Sequence, residues 1–218
     1  MKKVLRLWCF VGALLFFAFT GCSLPLEFKG ETPAYYVLDR SGEQHPRSTS
    51  LPFHLRIRDV TSSRLVNTQR IVYSREEGER AYYQFAFWGE IPSKRFAYLV
   101  QRELEEMLSF SSVSQAMDNV AADLQLNLDL IDFYHDASSR PGAAVMLLNA
   151  QLSDLKTRQI LATRYFERKQ ELESYDVDGA VKAFNLEVNE IIDELVTWLT
   201  QTVESGTRDH VNREANNL

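Results

Sequence analysis

Asp129, Asp132, His135 and Asp136 are the group of side chains in this sequence whose types most invite an enzymatic reading. Carboxylate oxygens and an imidazole at such spacing could ligate a divalent metal, or act as a general acid and base. The surrounding pattern argues for a blander reading. Leu124, Leu126, Leu128 and Leu130 alternate with Asp123, Gln125, Asn127 and Asp129, which predicts a half-buried strand. After Leu130 the phase slips, so that Ile131 and Phe133 become the apolar set, and Asp129 and His135 no longer share a face. Aspartate is also common at strand ends, where it bonds the backbone of the following turn. A solvated strand end is therefore preferred, and no metal or cofactor is predicted. Ser111, Ser112 and Ser114 lack a Gly-x-Ser-x-Gly setting, and His45, His54 and His210 lie in loop, strand and tail without a recognisable nucleophile. No glycine-rich phosphate loop is present, so any ATP hydrolysis would belong to a partner.

Cys22 has a different kind of chemistry. Lys2, Lys3 and Arg6 precede an apolar run from Leu7 to Phe19, and small Gly21 stands immediately before the cysteine, the order of a secretory signal. The run is shorter than the roughly 20 apolar residues of a spanning helix. Phe19-Thr20-Gly21-Cys22 resembles a bacterial lipobox, although Phe19 stands where leucine is usual. That resemblance implies cleavage before Cys22, with diacylglycerol on its sulfur and an acyl chain on its new amino group. Each buried CH2 contributes about 0.8 kcal/mol, so two or three chains anchor stably where one does not. Ser23, in place of aspartate, implies onward sorting to the outer membrane.

Cleavage leaves 21 basic residues (24 minus Lys2, Lys3 and Arg6) against 30 acidic ones, a formal charge of −9. Nucleic acid is thereby an unsuitable partner. The sequence has two cysteines, and Cys9 departs with the leader while Cys22 is acylated. The mature chain is left without a disulfide, a thiol nucleophile or a thiolate metal site.

The expected organisation is a signal peptide over 1–21, a tether over 22–34, a folded domain over 35–204 and a polar, disordered tail over 205–218. Tyr35–Leu38 reads as a short edge strand, and Phe53, Leu55 and Ile57 as a half-buried strand with Arg56 and Arg58 on its outer face. Arg70–Tyr73 and Arg80–Trp88 read as a hairpin around a polar turn. On simple alternation Tyr82, Gln84, Ala86 and Trp88 face one way, and Tyr83, Phe85 and Phe87 the other. Ser93 is a candidate cap for a helix with Phe96, Leu99, Val100, Leu104, Met107 and Leu108 on one stripe. A weaker strand or loop follows at Val113–Val120. The Leu124 strand, Ala143–Ser153 and Ile160–Arg168 form three consecutive antiparallel strands. Asp176–Gly179 caps a long helix whose seam runs through Val181, Phe184, Val188, Ile191, Ile192, Leu195, Leu199 and Val203. The fold class is α+β, a single layered domain with a mixed, mostly antiparallel sheet and two amphipathic helices packed on it.

Tyr82, Tyr83, Phe85, Phe87 and Trp88, with Phe96 and Tyr98 nearby, crowd the corner between hairpin and first helix. They could form a docking surface or an apolar ligand groove, with Arg56 and Arg58 as a basic stripe for an acidic partner or a phosphate headgroup. Core packing beneath the helices and a merely solvated strand face are the competing readings.

From Tyr35 to about Leu199 the chain resembles the ABC-type transport auxiliary lipoproteins. Tyr35-Tyr36-Val37-Leu38-Asp39 is similar to that family's opening strand, Arg70-Ile71-Val72-Tyr73 to a later one, and Trp88 with Pro92 to its Trp-x-x-x-Pro step into a helix. Leu148-Asn149-Ala150-Gln151-Leu152 with Arg158 and Leu161 resembles its central hairpin, and Val181-Lys182-Ala183-Phe184-Asn185 through Trp198-Leu199 its closing helix. Asn67-Thr68 departs from the usual Leu-Asp approach to the Arg70 strand. The resemblance implies a non-enzymatic, lipid-anchored outer-membrane protein facing the periplasm. Its implied partners are an MCE-type substrate-binding protein and an ABC permease and ATPase, with lipid as cargo and room for a homo-oligomer. The alternative is a structural or assembly lipoprotein of the cell envelope, such as a cell-wall synthase activator, and a periplasmic hydrolase is a third reading.

Overall fold

The computed structural model describes the backbone of residues 32–40, 50–118 and 120–216, with side chains through Thr207. The chain divides into a unit over 1–32 and a compact unit over 33–218, and the fold is that of the second. Phe19–Cys22, read above as resembling a lipobox, most of the stretch 22–34 expected to be a tether, and His45 lie outside the described residues, as does the side chain of His210.

Among the described residues nine strands and two helices follow in the order β1 (Ala34–Tyr36), β2 (Leu51–Ile57), β3 (Thr61–Ser62), β4 (Arg70–Ser74), β5 (Ala81–Trp88), α1 (Pro92–Glu106), β6 (Phe110–Gln115), β7 (Leu124–Asp136), β8 (Ala143–Asp154), β9 (Gln159–Glu171) and α2 (Val177–Asn216). The expected α+β class holds. The strand over Leu124–Asp136 organises the sheet. One of its edges pairs antiparallel with β8 from Leu124↔Asp154 to Asp136↔Ala143, and β8 pairs antiparallel with β9 in turn. Its other edge is shared by three short parallel strands: β2 at Leu124–Leu126, β3 at Asp129–Leu130 and β4 at His135–Asp136. The hairpin of β4 and β5, with β1 beside it, and the β2–β6 pair complete the sheet. The register shifts between Leu130 and Asp132, where the apolar phase slips in the sequence. This bulge keeps Phe133 and His135 on the buried side.

Leu124, Leu126, Leu128, Leu130 and Phe133 share one core with Met146, Leu148 and Leu152 of β8, Phe96, Leu99, Val100 and Leu104 of α1, and Phe184, Val188, Ile191, Leu195 and Leu199 of α2. Each such side chain contributes about 1.5–3 kcal/mol on burial. The opposite sheet face is open and carries Asn127, Asp129, Asn149 and Gln151.

Both helix starts follow local chemistry. At α1 the cap position is Ile91, which makes no side-chain bond, and Pro92 opens the helix. Proline has no N–H to satisfy there and its φ is already helical, so Ser93 is not the cap but a buried residue of the first turn. The C-terminal end differs too: Leu108 adopts φ +51 and is exposed, outside the stripe expected to contain it. At α2, Asp176 Oδ1 accepts the Gly179 N–H at 2.8 Å, the cap that the sequence suggests. A Cβ at Gly179 would lie 2.1 Å from the Ser174 carbonyl oxygen, so only glycine fits. The backbone of α2 stays helical to Asn216, beyond the Gly206 at which the sequence suggests a polar tail.

Candidate partner surface

Simple alternation does not hold along β5. Arg70 pairs with Phe87 but Val72 pairs with Tyr82, so the strand bulges between them and its faces exchange. Tyr83 and Trp88 consequently both turn toward the helices. Trp88 is 2 % exposed and packs against Phe133 and Phe184, each at 5.7 Å between ring centroids. Tyr83 lies on Tyr73 at 5.0 Å and stacks on His135, and its hydroxyl shares a hydrogen with His135 Nδ1 at 2.7 Å. Burial pushes the Tyr83 hydroxyl up to about 12 and lowers the pKa of His135, so both groups are neutral near pH 7. Phe96 likewise belongs to the core. Trp88, Tyr83 and Phe96 are therefore packing residues.

The remaining aromatics form a band on the open face. Tyr35, 68 % exposed, stacks on Phe87 at 5.7 Å, and Phe85 is 36 % exposed. Arg70 covers the Tyr82 ring at 4.4 Å, and Arg80 covers Tyr134 at 3.7 Å while reaching Asp132 at 3.6 Å. Such arginine–aromatic pairs present flat, amphipathic area to a partner. On α1, Tyr98 is exposed beneath Arg95.

Arg56 and Arg58 do not join this band. Their strand meets the Leu124–Leu126 end of β7, whereas β4 meets the His135–Asp136 end. At about 3.3 Å per residue the two ends are roughly 30 Å apart. Arg56 donates to the Val120 carbonyl oxygen, and Arg58 lines a shallow hollow of about 270 Å³ together with Asp59 and Asp129. Arg58 stands beside two carboxylates and Arg56 is engaged by a backbone carbonyl, so the two do not present a joint cationic patch.

The Asp/His group is dispersed. Asp129 accepts from the Thr61 hydroxyl at 2.8 Å, and Asp132 faces Arg80. Asp136 is held down to about 2, chiefly by the Ser138 hydroxyl and by Lys169 at 2.9 Å. His135 points to the other side, into the core. Among the described residues no cluster of three or more His, Cys, Asp or Glu could hold a metal. One pairing was not foreseen: His54 Nε2 lies 2.9 Å from the Ser114 hydroxyl, since β2 and β6 are neighbours in the sheet. Asp123 accepts the backbone N–H of His54 at 2.8 Å, and among the described residues no carboxylate is bonded to its ring, the orienting contact that a nucleophile's base uses. Only the β2–β6 register, which single-strand patterns do not contain, could have revealed this pair.

No helix among the described residues is long and apolar enough to cross a membrane. The solved structure of protein XCC0632 from Xanthomonas campestris, of family DUF330, is similar at a TM-score of 0.74 and 22 % identity, covering 80 % of this chain and 99 % of that one. A second crystal structure, of an uncharacterized protein, is similar at 0.61 and 16 %, covering 78 % and 99 %. At these identities the likeness shows the fold alone. Among curated proteins none matches. The profile of the ABC-type transport auxiliary lipoprotein component matches residues 36–196, from the edge strand through most of the α2 seam, and the chain belongs to that family.

Proposed function

We propose that the protein is a lipid-anchored, non-catalytic subunit of an ABC/MCE-type intermembrane lipid transport system, stationed at the outer membrane as a docking or receiving point. The observation that carries the reading is the family match over 36–196 placed directly behind the Phe19–Cys22 lipobox. Acylated Cys22 fixes the position, and residues 23–34 hold the domain off the bilayer. The open-face band around Tyr35, Phe85, Phe87 and Tyr82 engages an MCE-type partner, while the ATPase and permease supply energy from the inner membrane. Transport work in this arrangement needs no reacting group on the auxiliary subunit.

Crosslinking in cells followed by affinity capture tests the assignment. Copurification of an MCE-type protein or the permease is the expected result. Capture of cell-wall synthase or outer-membrane assembly components instead would overturn it. Fatty-acid labelling of the native chain, lost in Cys22→Ala with release from the outer-membrane fraction, tests the anchor separately.

A further inference from the structure

His135 stands buried near the C-terminal end of β7, paired with Ala144 of β8 on one side and Tyr73 of β4 on the other. Two loops close over it. The turn after β7 sets Gly142 against the ring, where a Cβ would lie 2.6 Å from Nε2. The segment between β9 and α2 sets Tyr175 edge-on to the ring at 5.8 Å between centroids. The loops are tied to each other: the Tyr175 hydroxyl donates to the Ala137 carbonyl oxygen at 2.6 Å, and the Leu172 N–H to that of Gly142 at 3.0 Å. A cleft of about 360 Å³, lined by His135 with Tyr73, Arg75, Gln84 and Tyr175, runs beside them. His135 Nδ1 shares a hydrogen with the Tyr83 hydroxyl, whereas Nε2 is buried without a hydrogen-bond partner among the described residues. A neutral ring can leave Nε2 as a bare lone pair against the Gly142 backbone. A protonated ring cannot, because both nitrogens then carry hydrogen and the second has no acceptor.

We propose that His135 is an acid-operated latch: the neutral ring keeps the 137–142 and 172–176 loops closed over it, and uptake of a proton releases them. A buried charge and an unpaired buried donor are both costly, so the proton enters with the loops open. Asp136 on β7 and Asp176 before α2 attract the proton, but Asp136 is committed to Ser138 and Lys169, and Asp176 to Ser174 and Gly179. Burial outweighs both and holds His135 below the ordinary 6.5. Arg75 and Arg140, stacked on Tyr73 and Tyr175, add positive charge. Tyr83 on β5, pushed up to about 12, stays neutral, and Asp136, held down to about 2, stays charged. Glu187 on α2 meets Gln170, two strands away in the same row as His135; raised to about 8, it is already protonated below neutrality. His135 is therefore the group whose charge changes between pH 7 and 5. With the loops open its pKa returns toward 6.5, so the open fraction rises by up to about tenfold for each pH unit below about 6.5. The released segment leads into the first turn of α2, where Asp178 accepts the Tyr36 hydroxyl of β1 at 2.6 Å. Acid thus loosens the edge strand that carries Tyr35 of the aromatic band. Control of docking rests on the partner reading, but the latch itself is a property of the 33–218 unit.

The test is amide hydrogen exchange of the chain from Ser23 onward, which contains that whole unit, between pH 7.5 and 5, with rates corrected for the intrinsic pH dependence of exchange. Protection over 137–142 and 172–180, where the Leu172 and Ala180 N–H groups are bonded in the closed state, should fall at least about fivefold from pH 7 to pH 5. Leu126–Leu130 and Leu148–Leu152, in the middle of the β7–β8 ladder, should keep theirs. In His135→Gln, which cannot take up the charge, protection of the two loops should not change with pH. His54→Gln, at the opposite end of the sheet, should keep the native response. Loop protection independent of pH in the native chain overturns the proposal, as does an equal fall in His135→Gln. A uniform loss across β7 and β8 is acid unfolding of the whole domain and also overturns it. One measurement needs no variant: the His135 imidazole resonance of the native chain should titrate below 6.5, and a midpoint at or above 6.5 with the loops still protected overturns the latch. None of these readouts involves a partner, so failure of the latch and failure of the transport assignment are distinguishable.

Discussion

Glu187 lies on α2 and is 1 % exposed, facing β9. Its Oε1 accepts the Gln170 N–H at 3.0 Å, while Oε2 is buried without a hydrogen-bond partner among the described residues. Burial raises its pKa from the ordinary 4.5 to about 8; nearby Glu190 adds to the rise, and the Gln170 N–H and Arg168 oppose it. The folded chain therefore keeps this carboxyl protonated at neutral pH, whereas the unfolded chain ionises it above about 4.5. Unfolding releases a proton throughout that interval, so stability falls as pH rises from about 4.5 and levels off above about 8. At about 1.4 kcal/mol per pH unit the full interval amounts to roughly 3–5 kcal/mol. Glu187→Gln keeps an oxygen for the Gln170 N–H and cannot ionise. Urea unfolding of both proteins between pH 4.5 and 8.5 should show equal stability at the acid end and a growing advantage for the glutamine variant, reaching at least about 2 kcal/mol at pH 8. Other titrating groups, His135 among them, cancel in the difference. A difference that stays flat with pH, or a variant less stable than the native chain at pH 8, would refute the reasoning.

Gly142 has φ +83, and a Cβ there would lie 2.6 Å from His135 Nε2 and 2.9 Å from the Asp136 carbonyl oxygen. Gly142→Ala should cost at least about 2 kcal/mol in urea unfolding and weaken near-ultraviolet dichroism from the Tyr83–His135 stack. Arg40 binds Glu103 of α1 and Asp193 of α2, the latter at 2.5 Å, so one guanidinium ties both helices to the chain that follows β1. Arg40→Met should cost about 3 kcal/mol, because the Glu103 carboxylate is 1 % exposed and loses that cation; a thermal midpoint within a degree or two of the native value would contradict this. Phe85→Ser, at an exposed position of the aromatic band, should change stability by no more than about 1 kcal/mol while reducing crosslinked MCE-type partner severalfold. Undiminished crosslinking would remove the band from the docking surface.

The parts of the fold legible in the sequence are those in which a period and a burial face coincide. Leu124 to Leu130 alternate on a strand buried on one side, and the slip at Ile131 marks the bulge because every later apolar residue changes parity. The α2 seam is equally plain, since one face meets the sheet over many turns. What escaped depended on partners far away in sequence. The β5 bulge is invisible because that strand is aromatic on both faces, so Tyr83 and Trp88 look alternately placed when they share a side. Arg56 and Arg58 can be assigned to an outer face, but their distance from the aromatics depends on which end of β7 each short strand joins. The end of α2 is the extreme case: Thr202, Ser205, Gly206 and Thr207 read from composition as a polar stretch giving way to a tail, yet each hydroxyl donates to a carbonyl one turn back along the helix, and the backbone stays helical to Asn216.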